Sequence, residues 1–175
     1  MTLGVVILFI IICVVVFFGL VVFIGAPYVP SQKKYVLRAF DHFGIDDQDV
    51  LVDVGSGDGI VLRIASRYGA KAVGYEINPL LVGVSRLLSL RDSRVSVRLQ
   101  NFWLATLPND ATIVYAFSVL RDEKKLRMLL QREADRLGRP LRLVCFGSPF
   151  KHLPPADTFE AYYLYIFQPL QPKKA

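Results

Sequence analysis

A glycine-rich turn between an apolar strand and a helix is the feature that most constrains how this chain can fold. The segment from Asp49 to Val54 is mostly aliphatic, which is typical of a buried strand. The turn itself is marked by an aspartate and three alternating glycines: Asp53, Gly55, Gly57 and Gly59. Glycines at such a turn let the backbone approach a ligand at the carboxyl end of the strand. A second predicted strand, 71–76, ends in Glu76, whose carboxylate can accept hydrogen bonds from two ribose hydroxyls. Together these features predict a nucleoside-binding βαβ unit.

The glycine spacing distinguishes two classes of ligand. Dinucleotide-binding turns follow G-x-G-x-x-G, whose last glycine lets a helix N-terminus receive a pyrophosphate. This chain instead has D-x-G-x-G-x-G, and Ile60 stands where that last glycine would be. A glycine-rich turn that binds no ligand is the alternative interpretation, and the presence of both Asp53 and Glu76 disfavours it.

Strand-like and helix-like segments alternate along the rest of the chain. Strands are predicted at 49–54, 71–76, 95–100, 111–117 and 141–147. Helices are predicted at 32–43, 59–69, 79–90 and 121–137. We expect Ser31 to cap the first of these helices and Asn78, followed by Pro79, to cap the third. Such alternation predicts an α/β fold with a parallel sheet and right-handed crossovers, followed by a β-rich segment from Phe159 to Phe167.

An uncharged apolar run from Leu3 to Ile24 precedes this domain. About 22 helical residues would extend roughly 33 Å, which is enough to cross a hydrocarbon core of about 30 Å. A cleaved signal peptide is the alternative, but the run is longer than a signal peptide's apolar stretch and no basic residue precedes it. The sequence therefore predicts a transmembrane anchor at 1–25 and a second domain at 26–175. Basic residues follow the run and none precedes it, so the positive-inside rule places the second domain in the cytoplasm.

Composition excludes some classes of site. The two cysteines, Cys13 and Cys145, have no zinc-type spacing, and the two histidines are isolated, so we expect no metal site. The net charge of +6 fits either solvated helix faces or attraction to an anionic membrane surface. Nucleic-acid binding is disfavoured, because no cluster of stacking aromatic residues accompanies the charge.

Several motifs together resemble one known family. These are Pro-Tyr-Val-Pro-Ser ending at Ser31, the D-x-G-x-G-x-G turn, Glu-Ile-Asn-Pro ending at Pro79, and Asn-Phe-Trp ending at Trp103. In this combination they resemble a group of class I S-adenosylmethionine (SAM) methyltransferases that methylate protein lysines. The group includes archaeal enzymes and membrane-anchored mitochondrial enzymes that act on the adenine nucleotide translocator or the c-ring protein of ATP synthase. The resemblance covers about 26–150 and implies a Rossmann-like sheet with helices on both faces.

The resemblance also implies roles for individual residues. The methionine half of SAM would lie against the first motif: Asp53, Gly55, Gly57 and Gly59. Glu76 would hold the ribose, and Tyr28 and Ser31 would close over the cofactor. Asn101 stands where the family usually has an aspartate that faces the adenine amino group, and its carbonyl keeps an acceptor. Phe102 could pack on the adenine or simply fill the core.

The resemblance implies methylation of a lysine on a membrane-associated protein. Methyl transfer from a sulfonium needs alignment and exclusion of water more than acid–base catalysis, so no catalytic residue is assigned. Two alternatives stay open: methylation of a lipid or isoprenoid small molecule, and a non-catalytic module of the same fold.

Overall fold

The computed structural model describes residues 3–24, 31–118 and 122–170, and the side chains of 15–24 and of residue 118 lie outside that description. The chain divides into two compact units, Met1–Pro30 and Ser31–Ala175. The first unit contains helix α1 (Leu3–Ile24). In the described part of the chain, no helix combines the length and the apolarity that crossing a membrane requires. The anchor stays a prediction from the sequence.

The second unit is a seven-stranded sheet with helices. Its strands are β1 (Val50–Val54), β2 (Lys71–Glu76), β3 (Val95–Leu99), β4 (Ile113–Ser118), β5 (Leu141–Gly147), β6 (Asp157–Phe159) and β7 (Tyr162–Phe167). Its helices are α2 (Lys33–Phe43), α3 (Ile60–Arg67), α4 (Pro79–Leu88) and α5 (Glu123–Leu137), with a short 3₁₀ turn at Phe102–Leu104 between β3 and β4.

The strands follow the order β3-β2-β1-β4-β5-β7-β6. The first five strands are parallel, as predicted, because each is joined to the next by a crossover. The β-rich segment near the C-terminus forms a hairpin, in which β7 runs antiparallel to both β5 and β6. The sheet is therefore mixed, and β7 lies between β5 and β6.

Side chains that alternate along the strands fill two cores, one on each face of the sheet. On β4, Ile113 and Tyr115 point into the core shared with α2, α3 and α4. Val114 and Ala116 point into the other core, shared with α5 and the 3₁₀ turn. This period of two is what a central parallel strand covered on both faces requires. The predicted helices on both faces of the sheet are confirmed.

The helix ends follow the expected chemistry, with one correction. Asn78 caps α4, and its side-chain oxygen accepts hydrogen bonds from the N–H groups of Leu80 and Leu81. The predicted cap at Ser31 is wrong, because α2 begins one residue later, with Gln32 at the cap position and no side-chain capping bond. Ser31 is thereby left available to the site described below.

Candidate cofactor site

The glycine loop after β1 is held by backbone hydrogen bonds to the neighbouring strand. The N–H groups of Gly55 and Ser56 both donate to the Tyr75 carbonyl of β2, at 2.9 and 3.0 Å. Three glycines of the loop have a positive φ: Gly55 at 78°, Gly57 at 54° and Gly59 at 79°. L side chains rarely adopt this left-handed region, so the loop conformation explains why the sequence places glycine there.

The surroundings of two of these glycines differ. A Cβ atom added at Gly55 would meet nothing within 4 Å, so the space beside it is open. A Cβ atom added at Gly59 would overlap the Oγ atom of Ser85 in α4. Gly55 therefore faces room for a ligand, whereas Gly59 allows α4 to pack against the loop.

Glu76 lies at the end of β2 and is 8% exposed. Its Oε2 atom accepts a hydrogen bond from the Gly57 N–H at 2.9 Å. Its Oε1 atom accepts from the N–H groups of Ile77 and Asn78, each at 2.8 Å. A carboxylate offers about four acceptor positions, so about one remains, on Oε2, where the sequence alone suggested two bonds to a ribose.

Asp53 is buried beneath the loop, with 3% of its surface exposed. Loss of solvent raises the pKa of this carboxyl to about 8, and the nearby negative charges of Glu76 and Asp58 raise it further in the same direction. Two carboxyl groups thus share a site with little water. Such a site favours a ligand that carries positive charge, since the ligand offsets the repulsion between them.

Two tyrosines cover the same face of the sheet as Asp53. Tyr115 of β4 stands beside Asp53 in the strand register and is 3% exposed. Burial raises the pKa of the Tyr115 phenol well above its usual value, the charge of Tyr162 raises it further, and a side-chain hydrogen bond with Ser31 opposes the shift. Ser31, predicted to close over the cofactor, therefore contacts the residue beside Asp53. Neither tyrosine was singled out from the sequence, because the register that brings β1, β4 and β7 together is not visible in it.

An aromatic row crosses the carboxyl ends of the strands next to this cluster. Phe117 of β4 pairs with Phe146 of β5, and their ring centroids are 5.6 Å apart. Phe146 in turn lies 4.8 Å from the ring of Tyr162, which is 6.5 Å from that of Tyr115. Phe117 remains 45% exposed, so the row leads from solvent to the buried tyrosine beside Asp53.

Asn101 and Phe102 follow β3. The Asn101 side-chain oxygen accepts a hydrogen bond from the Trp103 N–H at 3.0 Å and caps the 3₁₀ turn. Phe102 is 4% exposed, and its ring packs edge-on against Tyr75 and Trp103. The structure thus places Phe102 in the core on the opposite face from Asp53. Contact of either residue with adenine stays a prediction.

Two further residues bear on the site. Tyr28, also predicted to close over the cofactor, lies outside the described residues. Glu123, which the sequence analysis missed, is buried at the start of α5 and accepts a hydrogen bond from the Lys151 N–H at 3.0 Å. It ties the loop after β5 to α5. A glutamate in the first turn of a helix carries no signal of this long-range contact in the sequence.

Comparison with known proteins places this geometry in a family. No family model matches the chain. The chain is 30% identical, over 113 residues, to a protein-lysine N-methyltransferase from Saccharolobus islandicus (strain REY15A), covering 61% of this chain and 69% of that protein. The chain belongs to the protein-lysine N-methyltransferase family. The family resemblance drawn from the motifs is thereby confirmed.

Further relatives agree with this membership. The chain is 32% identical, over 146 residues, to the human lysine N-methyltransferase named for the c-ring protein of ATP synthase, covering 78% of this chain. It spans 60% of the length of that human protein and of its rat counterpart. Among solved structures, an RNA methyltransferase from Salinibacter ruber in complex with S-adenosyl-L-homocysteine aligns with a TM-score of 0.73 and 28% identity, over 83% of this chain and 98% of that one. The fold is that of class I methyltransferases.

Proposed function

We propose that this protein-lysine methyltransferase family member binds SAM at the glycine loop and transfers its methyl group to a lysine side chain. The observation that carries the proposal is the buried pair of carboxyl groups, Asp53 and Glu76, beside the open space at Gly55. SAM has a sulfonium and an ammonium against one carboxylate, so it brings a net positive charge to an acidic site. The S-adenosyl-L-homocysteine in the aligned structure supports the same placement.

The reaction requires little of the protein beyond positioning. The lysine nitrogen attacks the methyl carbon as the S–CH₃ bond breaks, and the sulfur leaves as a neutral thioether. The nitrogen must have lost a proton to present its lone pair, and desolvation favours that loss by lowering the lysine pKa. The row of Phe117, Phe146 and Tyr162 supplies a surface with little water along which an alkyl-ammonium chain can pass.

We further propose that the substrate lysine belongs to a membrane-associated protein and that residues 1–25 anchor the enzyme. The uncharged sequence of that segment supports an anchor, and the names of the relatives support a protein substrate in a membrane complex. The basic residues after the segment, Lys33, Lys34 and Arg38, favour a cytoplasmic catalytic domain. C-terminal reporter fusions test this orientation: only cytoplasmic reporters should be active.

The direct test is methyl transfer from isotopically labelled SAM by the purified full chain. Vesicles that carry membrane proteins, protein-free vesicles of the same lipids, and RNA are offered separately. We expect label on lysine in the first sample only. Label in extracted lipid would support the lipid alternative, and label in RNA would support the activity of the Salinibacter ruber protein. SAM binding by calorimetry without transfer to any substrate would indicate a non-catalytic module.

Removal of residues 1–25 separates the anchor from the catalytic domain. The truncated protein should retain SAM binding but methylate the membrane target in vesicles more slowly, because tethering raises the effective concentration of a membrane substrate. Equal rates for the full and truncated proteins would remove the targeting role of the segment.

A further inference from the structure

Helix α4 has an arrangement of side chains that is reversed relative to an ordinary surface helix. Its inward face presents Val82 and two serines, Ser85 and Ser89, which are at most 7% exposed. Among the described residues, neither serine hydroxyl has a hydrogen-bond partner. A surface helix of a globular protein normally turns its apolar stripe inward and its polar residues outward.

The outward face of α4 is aliphatic instead. Four exposed side chains follow the spacing i, i+4, i+7, i+8, which is one stripe of a helix: Leu80, Val84, Leu87 and Leu88. They are between 44% and 67% exposed, and Leu90, just beyond the helix, is 74% exposed. A contiguous apolar surface of this kind on a folded domain marks a site of interaction. We call these five residues the α4 stripe.

Basic residues adjoin the α4 stripe. Between Pro79 and Leu99 the chain has four arginines and a single acidic residue, Asp92. Arg86 is held on the edge strand, where its Nε and Nη2 atoms donate to the Val97 carbonyl at 3.1 and 2.8 Å. Arg91 and Arg94, which follow the stripe, are exposed and have no ion-pair partner among the described residues.

We propose that the α4 stripe lies in the surface of an anionic membrane, with Arg91 and Arg94 against the lipid headgroups. An apolar helix face beside arginines is the composition of helices that lie in the plane of a bilayer interface. A second copy of the chain fits less well, since a symmetric contact would bring the same arginines together. This surface begins directly after Glu76 and Asn78, so it would set the orientation of the cofactor loop relative to the membrane. The proposal depends neither on methyl transfer nor on the N-terminal segment.

The test uses nitroxide labels in the full chain. Cysteines replace Val84 and Leu87 one at a time, and a matched control replaces Met128, which is 64% exposed on α5. The exposed Cys13 is changed to serine, whereas the buried Cys145 is kept. Because the label reports only its own surroundings, attachment of the chain by another segment does not imitate the result. Thermal unfolding confirms that each variant folds.

In vesicles of phosphatidylcholine with phosphatidylserine, labels at 84 and 87 should lose contact with a water-soluble nickel chelate and gain contact with oxygen. The label at 128 should not change. Replacement of Arg91 and Arg94 by glutamine should lower the ratio of docked to undocked α4 about 30-fold, since each basic residue near an anionic surface contributes about 1 kcal/mol and 1.4 kcal/mol is tenfold.

Three results would overturn the proposal. The first is equal chelate contact at 87 and 128 in anionic vesicles. The second is spin–spin coupling between labels at 87 in lipid-free solution together with a dimeric mass, which would mean that a second copy covers the stripe. The third is protection at 84 and 87 only when the vesicles also contain a protein substrate, which would assign the stripe to that protein.

Discussion

The carboxylate of Glu76 accepts a hydrogen bond from the Gly57 N–H at 2.9 Å and so joins the end of β2 to the loop after β1. The same side chain holds the two N–H groups that lead into α4. Glu76 is therefore part of the structure that shapes the site before any ribose reaches it.

Replacement of Glu76 by alanine should destabilise the protein even without SAM. Three backbone N–H groups, those of Gly57, Ile77 and Asn78, would lose their acceptor. Each buried donor without a partner costs roughly 1–3 kcal/mol, so we expect the free energy of unfolding in urea to fall by at least about 3 kcal/mol. Glu76→Gln keeps one side-chain oxygen and should lose less. Equal stability of wild type and Glu76→Ala would contradict this role, whatever the effect on SAM affinity.

Stability should depend on pH through Asp53. Its pKa rises from 3.8 to about 8 on folding, chiefly through burial, so the folded protein keeps a proton that the unfolded chain releases. The stabilisation is complete below about pH 4 and is lost as the pH rises through about 8, with a slope of up to about 1.4 kcal/mol per pH unit. Urea unfolding across this range measures it. Asp53→Asn should flatten the slope, and a contribution from Asp53 that grew with pH would refute the assignment.

Alanine at Gly59 should cost more stability than alanine at Gly55. Both positions have a positive φ, which costs an L residue roughly 1–2 kcal/mol. Only the Gly59 substitution also overlaps Ser85 Oγ. A second change, Ser85→Ala, should recover part of the loss in Gly59→Ala, whereas it should not help Gly55→Ala. Gly55→Ala should chiefly weaken SAM binding, measured by calorimetry, because its methyl group enters the open space.

Phe117→Ala should raise the KM for the lysine substrate. A ring beside an ammonium contributes about 0.5–2 kcal/mol, which corresponds to roughly 2–30-fold in KM. Because Phe117 is 45% exposed, the stability of the variant should change little. Phe117→Leu keeps an apolar side chain without a ring and should resemble alanine if the ring itself matters. An unchanged lysine KM with a weaker SAM affinity would place Phe117 on the cofactor side instead.

Asn101→Asp should tighten SAM binding. An aspartate keeps the capping bond to the Trp103 N–H and offers a charged acceptor to the adenine amino group, and charged acceptors form the stronger hydrogen bonds. We expect about a tenfold gain, on the basis of about 1.4 kcal/mol. Asn101→Ala loses both functions and should bind more weakly. If neither variant changes the affinity, Asn101 serves the turn alone.

Local patterns predicted the elements of the catalytic unit well. The strand at 71–76 and the start of α4 at Pro79 coincide with the structure, because hydrophobic periodicity and capping chemistry are properties of neighbouring residues. The Ser31 cap failed for a related reason. A serine can cap a helix or bond elsewhere, and the contact with Tyr115 is a tertiary one that no local pattern contains.

Long-range relationships could not be predicted in the same way. The insertion of β7 between β5 and β6 depends on the sheet as a whole, and it alone brings Tyr162 beside Tyr115. The hydrogen bonds of Glu76 likewise depend on the backbone conformation of a loop from another part of the chain. The outward leucines of α4 are readable as an apolar helix, but the direction in which they face follows from packing.

The pairing of β5 with β7 also sets the order in which the site forms during synthesis. Asp53 leaves the ribosome early, whereas Tyr162 is added more than a hundred residues later. At about 5–20 residues per second, that interval is roughly 5–20 seconds. Through that interval the tyrosine beside which Asp53 becomes buried is itself uncovered, so the carboxyl stays in water and ionised. As the last strand docks at neutral pH, the nascent protein takes up a proton.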